Sequence, residues 1–221
     1  MTLQRTALTA LTLALIPAAA QAAVITPTGV TATTAGLSNR GIDKVIDGSG
    51  LSGVGPILDQ THVNAGLSGD DDYYLSNELA EGTNPAAGEI IEFELAAATT
   101  VSAIHVWQYD RNNTAWNGRG ISTFDLAFST DGGTSFATVL TGFSLTEEPA
   151  DGDAEPVQSL AFASQSGVTD IRIQNIEIFD AAENRIGLSE VRFDTEPVPE
   201  PGSLALLGLG GLLIGARRRR K

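Results

Sequence analysis

The sequence predicts an all-β protein, an antiparallel β-sandwich or jelly roll of the galactose-binding-like kind, and three observations carry that prediction. No segment between Val24 and Pro197 sustains a helical period. Several segments alternate apolar and polar residues, as strands with one buried face do. The connections between them are rich in Gly, Asp, Asn, Ser and Pro, the residues that build tight turns.

Taken in order, Ile91, Phe93 and Leu95 alternate with Glu92 and Glu94, and Ile104 and Val106 with His105 and Trp107. Phe124, Leu126 and Phe128 alternate with Asp125, Ala127 and Ser129. That run stops at Asp131-Gly132-Gly133, a turn whose glycines accept positive φ, and Phe136 to Leu140 is predicted to return as its hairpin partner. Val157 to Ala163, Ile171 and Ile173, and Val191 and Phe193 supply further strands. Seven or eight short strands on roughly 175 residues, without helices between them, make one sandwich with one core. The stretch with Glu147, Glu148, Asp151, Asp153 and Glu155 is predicted to be a solvated acidic loop, since strands of the same character flank it.

Both ends read as addresses. Arg5 supplies a positive n-region, Leu8 to Ala20 an apolar run and Ala20-Gln21-Ala22 a small-x-small cleavage site, so residues 1–22 are predicted to be a secretory signal peptide. Pro199, Glu200 and Pro201 precede an uncharged Gly/Leu-rich run, Ser203 to Ala216, and Arg217, Arg218, Arg219, Arg220 and Lys221 follow it. As a helix that run rises about 21 Å, short of the ~30 Å hydrocarbon core, so spanning is marginal, and the membrane contact of this C-terminal helix is expected to be transient. The three parts in this order resemble the PEP-CTERM sorting signal of Gram-negative bacteria. The resemblance implies recognition and removal of residues 197–221 by an exosortase, and delivery of residues 23–196 to the cell surface or extracellular matrix.

The net charge is −14, from 27 acidic and 13 basic residues, and removing both ends brings the remainder close to −20. A field of that sign repels nucleic acid and favours cations, so nucleic-acid binding is excluded as a function class. There is no cysteine, and an exported protein without disulfides must be stabilised by its core or by a metal. Catalysis has little raw material: His62 and His105 are the two histidines, and neither a Gly-x-Ser-x-Gly elbow nor a His-Glu-x-x-His pair occurs. His105 is read as a packed or surface imidazole.

Four pieces come in the order seen in discoidin, or coagulation-factor type C, domains. They are Ile42-Asp43-Lys44-Val45-Ile46-Asp47-Gly48; Tyr74-Leu75-Ser76 with Ile90-Ile91-Glu92-Phe93-Glu94-Leu95; Ile104 to Asp110 continuing through Arg119-Gly120-Ile121 to the Ser129–Gly133 hairpin; and Gly187 to Phe193. The chain is similar to that family over about Thr26 to Asp194, with Glu94 and Ala96 where the family has Asp and Gly. The resemblance implies a structural calcium ion, held by Asp47 with carbonyls near Lys44 and Ser49 and by Glu190, which would fasten the first loop to the last strand. Alternatively, Asp47-Gly48 is simply a turn and Glu190 a strand residue.

Between Tyr109 and Gly120 lie Tyr109, Arg111, Asn113, Trp116, Asn117 and Arg119. An aromatic face with amide and guanidinium donors is what sugar binding calls for. The competing account has Trp116 capping one end of the sandwich while Arg119 pairs with a local acid. The sequence thus predicts an exported, non-catalytic carbohydrate-binding or adhesion module associated with exopolysaccharide. A purely structural acidic matrix protein without a ligand site is the alternative, and a polysaccharide-acting hydrolase stands third.

Overall fold

The computed structural model describes residues 23–63, 72–79, 86–110, 114–149 and 154–195. The predicted signal peptide and sorting segment lie outside the described residues, as do Arg111, Asn113, Asp151 and Asp153. The described residues fall within one compact unit, Ala22–Glu196.

Eleven strands form among the described residues: β1 (Ala23–Ile25), β2 (Gly29–Ala32), β3 (Leu51–Ser52), β4 (Thr61–His62), β5 (Tyr74–Leu75), β6 (Ile91–Trp107), β7 (Ile121–Ser129), β8 (Thr138–Ser144), β9 (Val157–Ile178), β10 (Gly187–Leu188) and β11 (Glu190–Thr195). Beside them the described residues contain a single helical turn, α1 (Thr114–Asn117), and two 3-10 turns at Ile42–Val45 and Ile57–Asp59. The main sheet runs β1-β11-β6-β9-β7-β8, with β2 also on β6, and the pairs are antiparallel. The all-β, antiparallel class read from the alternation is what the chain forms.

Two pairs of predicted strands are single strands. Ile91–Leu95 and Ile104–Trp107 are the two ends of β6, 17 residues long, and Val157–Ala163 and Ile171–Ile173 both lie in β9, 22 residues long. Ala96-Ala97-Ala98-Thr99-Thr100 contains no turn-forming residue, so the chain bends there without reversing. The register of β6 against β9 shifts between Glu94 and Ala103, and Gly167 of β9 takes φ 70°. Such bulges curl a strand without ending it.

The bend is large. Phe193 lies opposite Ile104, eleven residues beyond Phe93 along β6, yet the Phe93 and Phe193 rings meet edge to face at 5.5 Å. On a flat strand those positions would stand about 36 Å apart. Likewise Phe162 of β9 reaches Phe128, whose register partner Ile171 is nine residues farther along the same strand. The sheet therefore folds over on itself into a sandwich, with Phe93, Ile104, Leu126, Val168, Ile171 and Phe193 in its core.

The predicted hairpin is present, though its second strand starts at Thr138 and not at Phe136. The Phe136 ring instead lies under the Arg172 guanidinium, 3.6 Å from ring centroid to Cζ. Gly132 and Gly133 take φ 70° and 74°. The Asp131 carboxylate accepts hydrogen bonds from Ser135 N, Ser135 Oγ and Ser129 Oγ at 2.7–2.9 Å, and the Ser135 and Ser129 bonds hold its pKa down at about 2.

The acidic loop is only partly solvated, which corrects its reading from composition. Glu155 is 3% exposed because its backbone pairs reciprocally with His62, N to O at 2.8 Å in both directions. Burial first, then the hydrogen bond and charge of Glu148 and of Asp110, push its carboxyl up to about 9. Asp110 in turn accepts from Asn117 Nδ2 at 2.6 Å, and Glu148 from Gln158 Nε2 at 2.5 Å.

Two outcomes are expected. Phe193→Ala removes one side of the fold-over and should lower stability by about 3–5 kcal/mol in urea unfolding. Glu155 holds its proton in the folded state to about pH 9 but loses it near 4.5 when unfolded, so its contribution to stability falls as pH rises between those values. Glu155→Gln should flatten that dependence and raise stability at pH 8 by about 1–2 kcal/mol, read from Tm against pH.

Candidate functional site

The polar segment after β6 is divided by the fold into an inner and an outer set. Tyr109 belongs to the inner one: it is 1% exposed, stands edge to face with Tyr73 at 5.1 Å, and packs with Leu75 and Leu37. Gly187 allows this, since a Cβ there would lie 2.3 Å from the Tyr109 ring. Asn117 also turns inward, 3% exposed, donating to Asp110 Oδ1 and to the Glu148 carbonyl. These two residues build the floor of the site and present no side chain to solvent.

Trp116 and Arg119 form the outer set. Trp116 is half-buried on α1, and the Arg119 guanidinium sits over its ring, 5.5 Å from the centroid. Arg119 Nε donates to Glu183 Oε2 at 2.7 Å. The turn is tight: Arg119 N bonds Trp116 O, Gly120 N bonds Asn117 O, and a Cβ on Gly118 would meet Asp180 Cβ at 2.4 Å. A partly open indole and a guanidinium are thereby held on one rigid turn, with the Glu183 carboxylate reaching them from a distant loop, a set that offers a ring face and hydroxyl partners together. Glu183 is 64 residues from Arg119, and no local signal in the sequence marked it.

The four residues read as a metal set are brought together by the fold-over. Glu190 is fully buried at the start of β11, and its Oε2 accepts from Gly48 N at 3.2 Å. Asp47 Oδ1 accepts from Ser49 N at 2.7 Å, and Oδ2 lies 3.3 Å from Lys44 Nζ. The first loop and the last strand therefore meet. Burial raises the Glu190 carboxyl to about 8, with the Asp47 charge adding to the rise and Arg192 and the Gly48 amide opposing it. For Asp47, burial also raises the carboxyl, but the Ser49 hydrogen bonds and the Lys44 ammonium outweigh it and leave it low.

These residues fit a hard cation in part. The donor atoms are oxygens, and Ser49 Oγ is buried among them. Against that, Arg192 Nη1 already contacts Glu190 Oε1, and no group of three acidic or histidine side chains converges for a metal among the described residues. Asp47 and Glu190 would be the two charged ligands, with Ser49 and carbonyls completing the set, and Lys44 and Arg192 are the cations with which a metal must compete.

His105 is a packed imidazole, 3% exposed. Its Nδ1 is 2.8 Å from Ser159 Oγ on β9, and its Nε2 is 3.1 Å from Asp194 Oδ1 on β11 without hydrogen-bond alignment. The side chain ties the two neighbours of β6 across one face of the sheet. No helix among the described residues is long and apolar enough to cross a membrane.

Comparison with curated proteins finds no match. Among solved structures the fold is similar to the family 32 carbohydrate-binding module of Clostridium perfringens NanJ in complex with galactose (TM-score 0.47, 16% identity, 75% of this chain and 92% of that one). It is similar also to the family 32 module of AlyQ in complex with 4,5-unsaturated mannuronic acid (0.46, 21%, 77% and 97%) and to an F5/8 type C domain from Bacteroides fragilis (0.48, 14%, 80% and 98%). Residues 197–221 match the PEP-CTERM protein-sorting motif, which marks this chain for export to the bacterial cell surface or beyond.

Proposed function

We propose that this chain is an exported, non-catalytic binding module of a Gram-negative cell surface or extracellular matrix, which holds exopolysaccharide through the Trp116–Arg119–Glu183 surface. The observation that carries the reading is the sorting motif at residues 197–221. An exosortase-type enzyme would process that segment, with brief membrane contact through its apolar run. Support for a sugar ligand comes from the site itself: a half-buried indole beside an anchored guanidinium, on a turn stiffened from below by Asn117 and Asp110. Because those donors are already in place, a sugar ring would meet a surface that needs little ordering on binding.

Calcium enters this reading as a structural ion at Asp47, Ser49 and Glu190, with carbonyls near Lys44. Its chemistry is charge neutralisation: a divalent cation beside a buried carboxylate that burial has made reluctant to ionise.

Two measurements test the proposal. Retention of the protein on exopolysaccharide in affinity electrophoresis should fall at least about ten-fold in Trp116→Ala, with stability changed by less than about 1 kcal/mol. Full retention by the variant would remove Trp116 from the site, and a large loss of stability with no glycan retained by either protein would support the purely structural acidic protein instead. Millimolar calcium should raise Tm by an amount equivalent to about 2–3 kcal/mol if it stands near 100 times Kd, and Asp47→Asn should abolish the rise. An unchanged Tm removes calcium and leaves Lys44 and Arg192 as the site's cations.

A further inference from the structure

A cavity of about 660 Å³, lined by none of the residues of the Trp116 surface, opens on the polar side of β2, β6 and β9, beside the Gly132-Gly133 turn. Glu92, Glu94 and Asp170 all line it. The period of two places Glu92 and Glu94 on the face opposite Ile91, Phe93 and Leu95, which are buried in the core. The β6–β9 register then sets Asp170 directly opposite Glu94, two like charges at a cross-strand position where such pairs destabilise a sheet.

The three carboxylates are unequally matched. Glu92 Oε2 accepts from Arg172 Nε at 2.6 Å. Glu94 and Asp170 have no ion pair among the described residues. Asp170 is only 6% exposed, and its Oδ2 is buried without a hydrogen-bond partner. A buried acceptor left in that condition is a standing cost that a cationic donor entering the cavity would remove.

Two glycines keep the space around these oxygens clear. A Cβ on Gly29 would stand 3.1 Å from Glu94 Oε2. One on Gly133, whose φ is +74°, would stand 3.0 Å from Glu92 Oε1 and 3.4 Å from Asp170 Oδ1.

The arrangement distinguishes between kinds of cation. Calcium needs six to eight oxygens converging on one point at roughly 2.3–2.6 Å, and no three acidic side chains converge in that way among the described residues. The residues that bear them are instead arrayed, their backbone positions about 5 Å apart across the strands and about 7 Å apart along them, an array suited to several cationic groups on one extended molecule. Among the described residues no aromatic side chain lines the cavity, so there is no stacking platform for a neutral sugar.

We propose that this cavity binds an extended ligand bearing several primary ammonium groups, of the amino-sugar-chain or polyamine class, with Glu94 and Asp170 as its charge partners. The site is independent of the sugar surface at Trp116.

The test is calorimetric titration of the full chain in mildly acidic, low-salt buffer with four probes: glucosamine tetramer, N-acetylglucosamine tetramer, spermidine and calcium chloride. Glucosamine tetramer or spermidine should bind and the acetylated tetramer should not; the stronger of the first two identifies the source. Glu94→Gln, on an exposed side chain, and Asp170→Asn should each weaken binding at least about ten-fold, whereas Glu177→Gln, which removes a charge elsewhere, should leave it unchanged. Equal binding of the acetylated tetramer, binding of calcium alone, loss of affinity in Glu177→Gln as large as in Glu94→Gln, or no binding of any probe would overturn the proposal. Failure at Trp116 with success here would sink the exopolysaccharide reading alone.

Discussion

Phe93 and Phe193 touch edge to face inside a sheet whose hydrogen bonds would hold them far apart if it were flat. That contact, repeated by Phe162 with Phe128 and Phe143, makes a continuous sheet close over its own apolar side. Without cysteine, the chain has no covalent means of joining its ends, and the closure has to be made by packing. The remaining features follow. β11 is brought beside β6, which sets Glu190 under the Asp47–Ser49 loop, and β9 is carried past both β6 and β7, which sets Asp170 opposite Glu94.

Electrostatics is the second constraint, because cations are scarce. Lys44, Arg119, Arg172, Arg185 and Arg192 each stand against a carboxylate, of Asp47, Glu183, Glu92, Glu78 and Glu190 respectively. Other acids are accommodated without a cation. Asp131 is satisfied by the hydrogen bonds of its own turn, and Glu155 keeps its proton in a buried cluster with Asp110 and Glu148. Glu94 and Asp170 have neither arrangement. Their repulsion is tolerated because the apolar contacts on the other face of the same strands outweigh it, with Phe93 and Ile171 both fully buried directly behind.

The segment after β6 shows how composition and geometry part company. Tyr109, Trp116, Asn117 and Arg119 look interchangeable as a sugar-binding set in the sequence, since all lie in one polar stretch. In space, Gly187 admits the Tyr109 ring into the core and Asp110 draws Asn117 inward, leaving an indole and a guanidinium outside. Glu183 joins them from a distant loop. A pattern of residue types identified where a surface was plausible; it carried no information on which side chains faced it.

The sequence by itself determined the strand class, the hairpin at Asp131-Gly132-Gly133, the lack of disulfides, the acidic field and the sorting segment at the C-terminal end. These depend on local periodicity, turn chemistry and composition, which are properties of neighbouring residues. Only the tertiary structure decided that predicted strands fuse into β6 and β9, that Glu155 is buried, that Glu190 meets the Gly48 amide, and that Glu94 and Asp170 share a cavity wall. Each of the last three depends on a pairing register or on the approach of segments dozens of residues apart. A shift of one residue in that register would move every side chain to the other face of the sheet, and nothing in the local sequence specifies the distant partner that holds it.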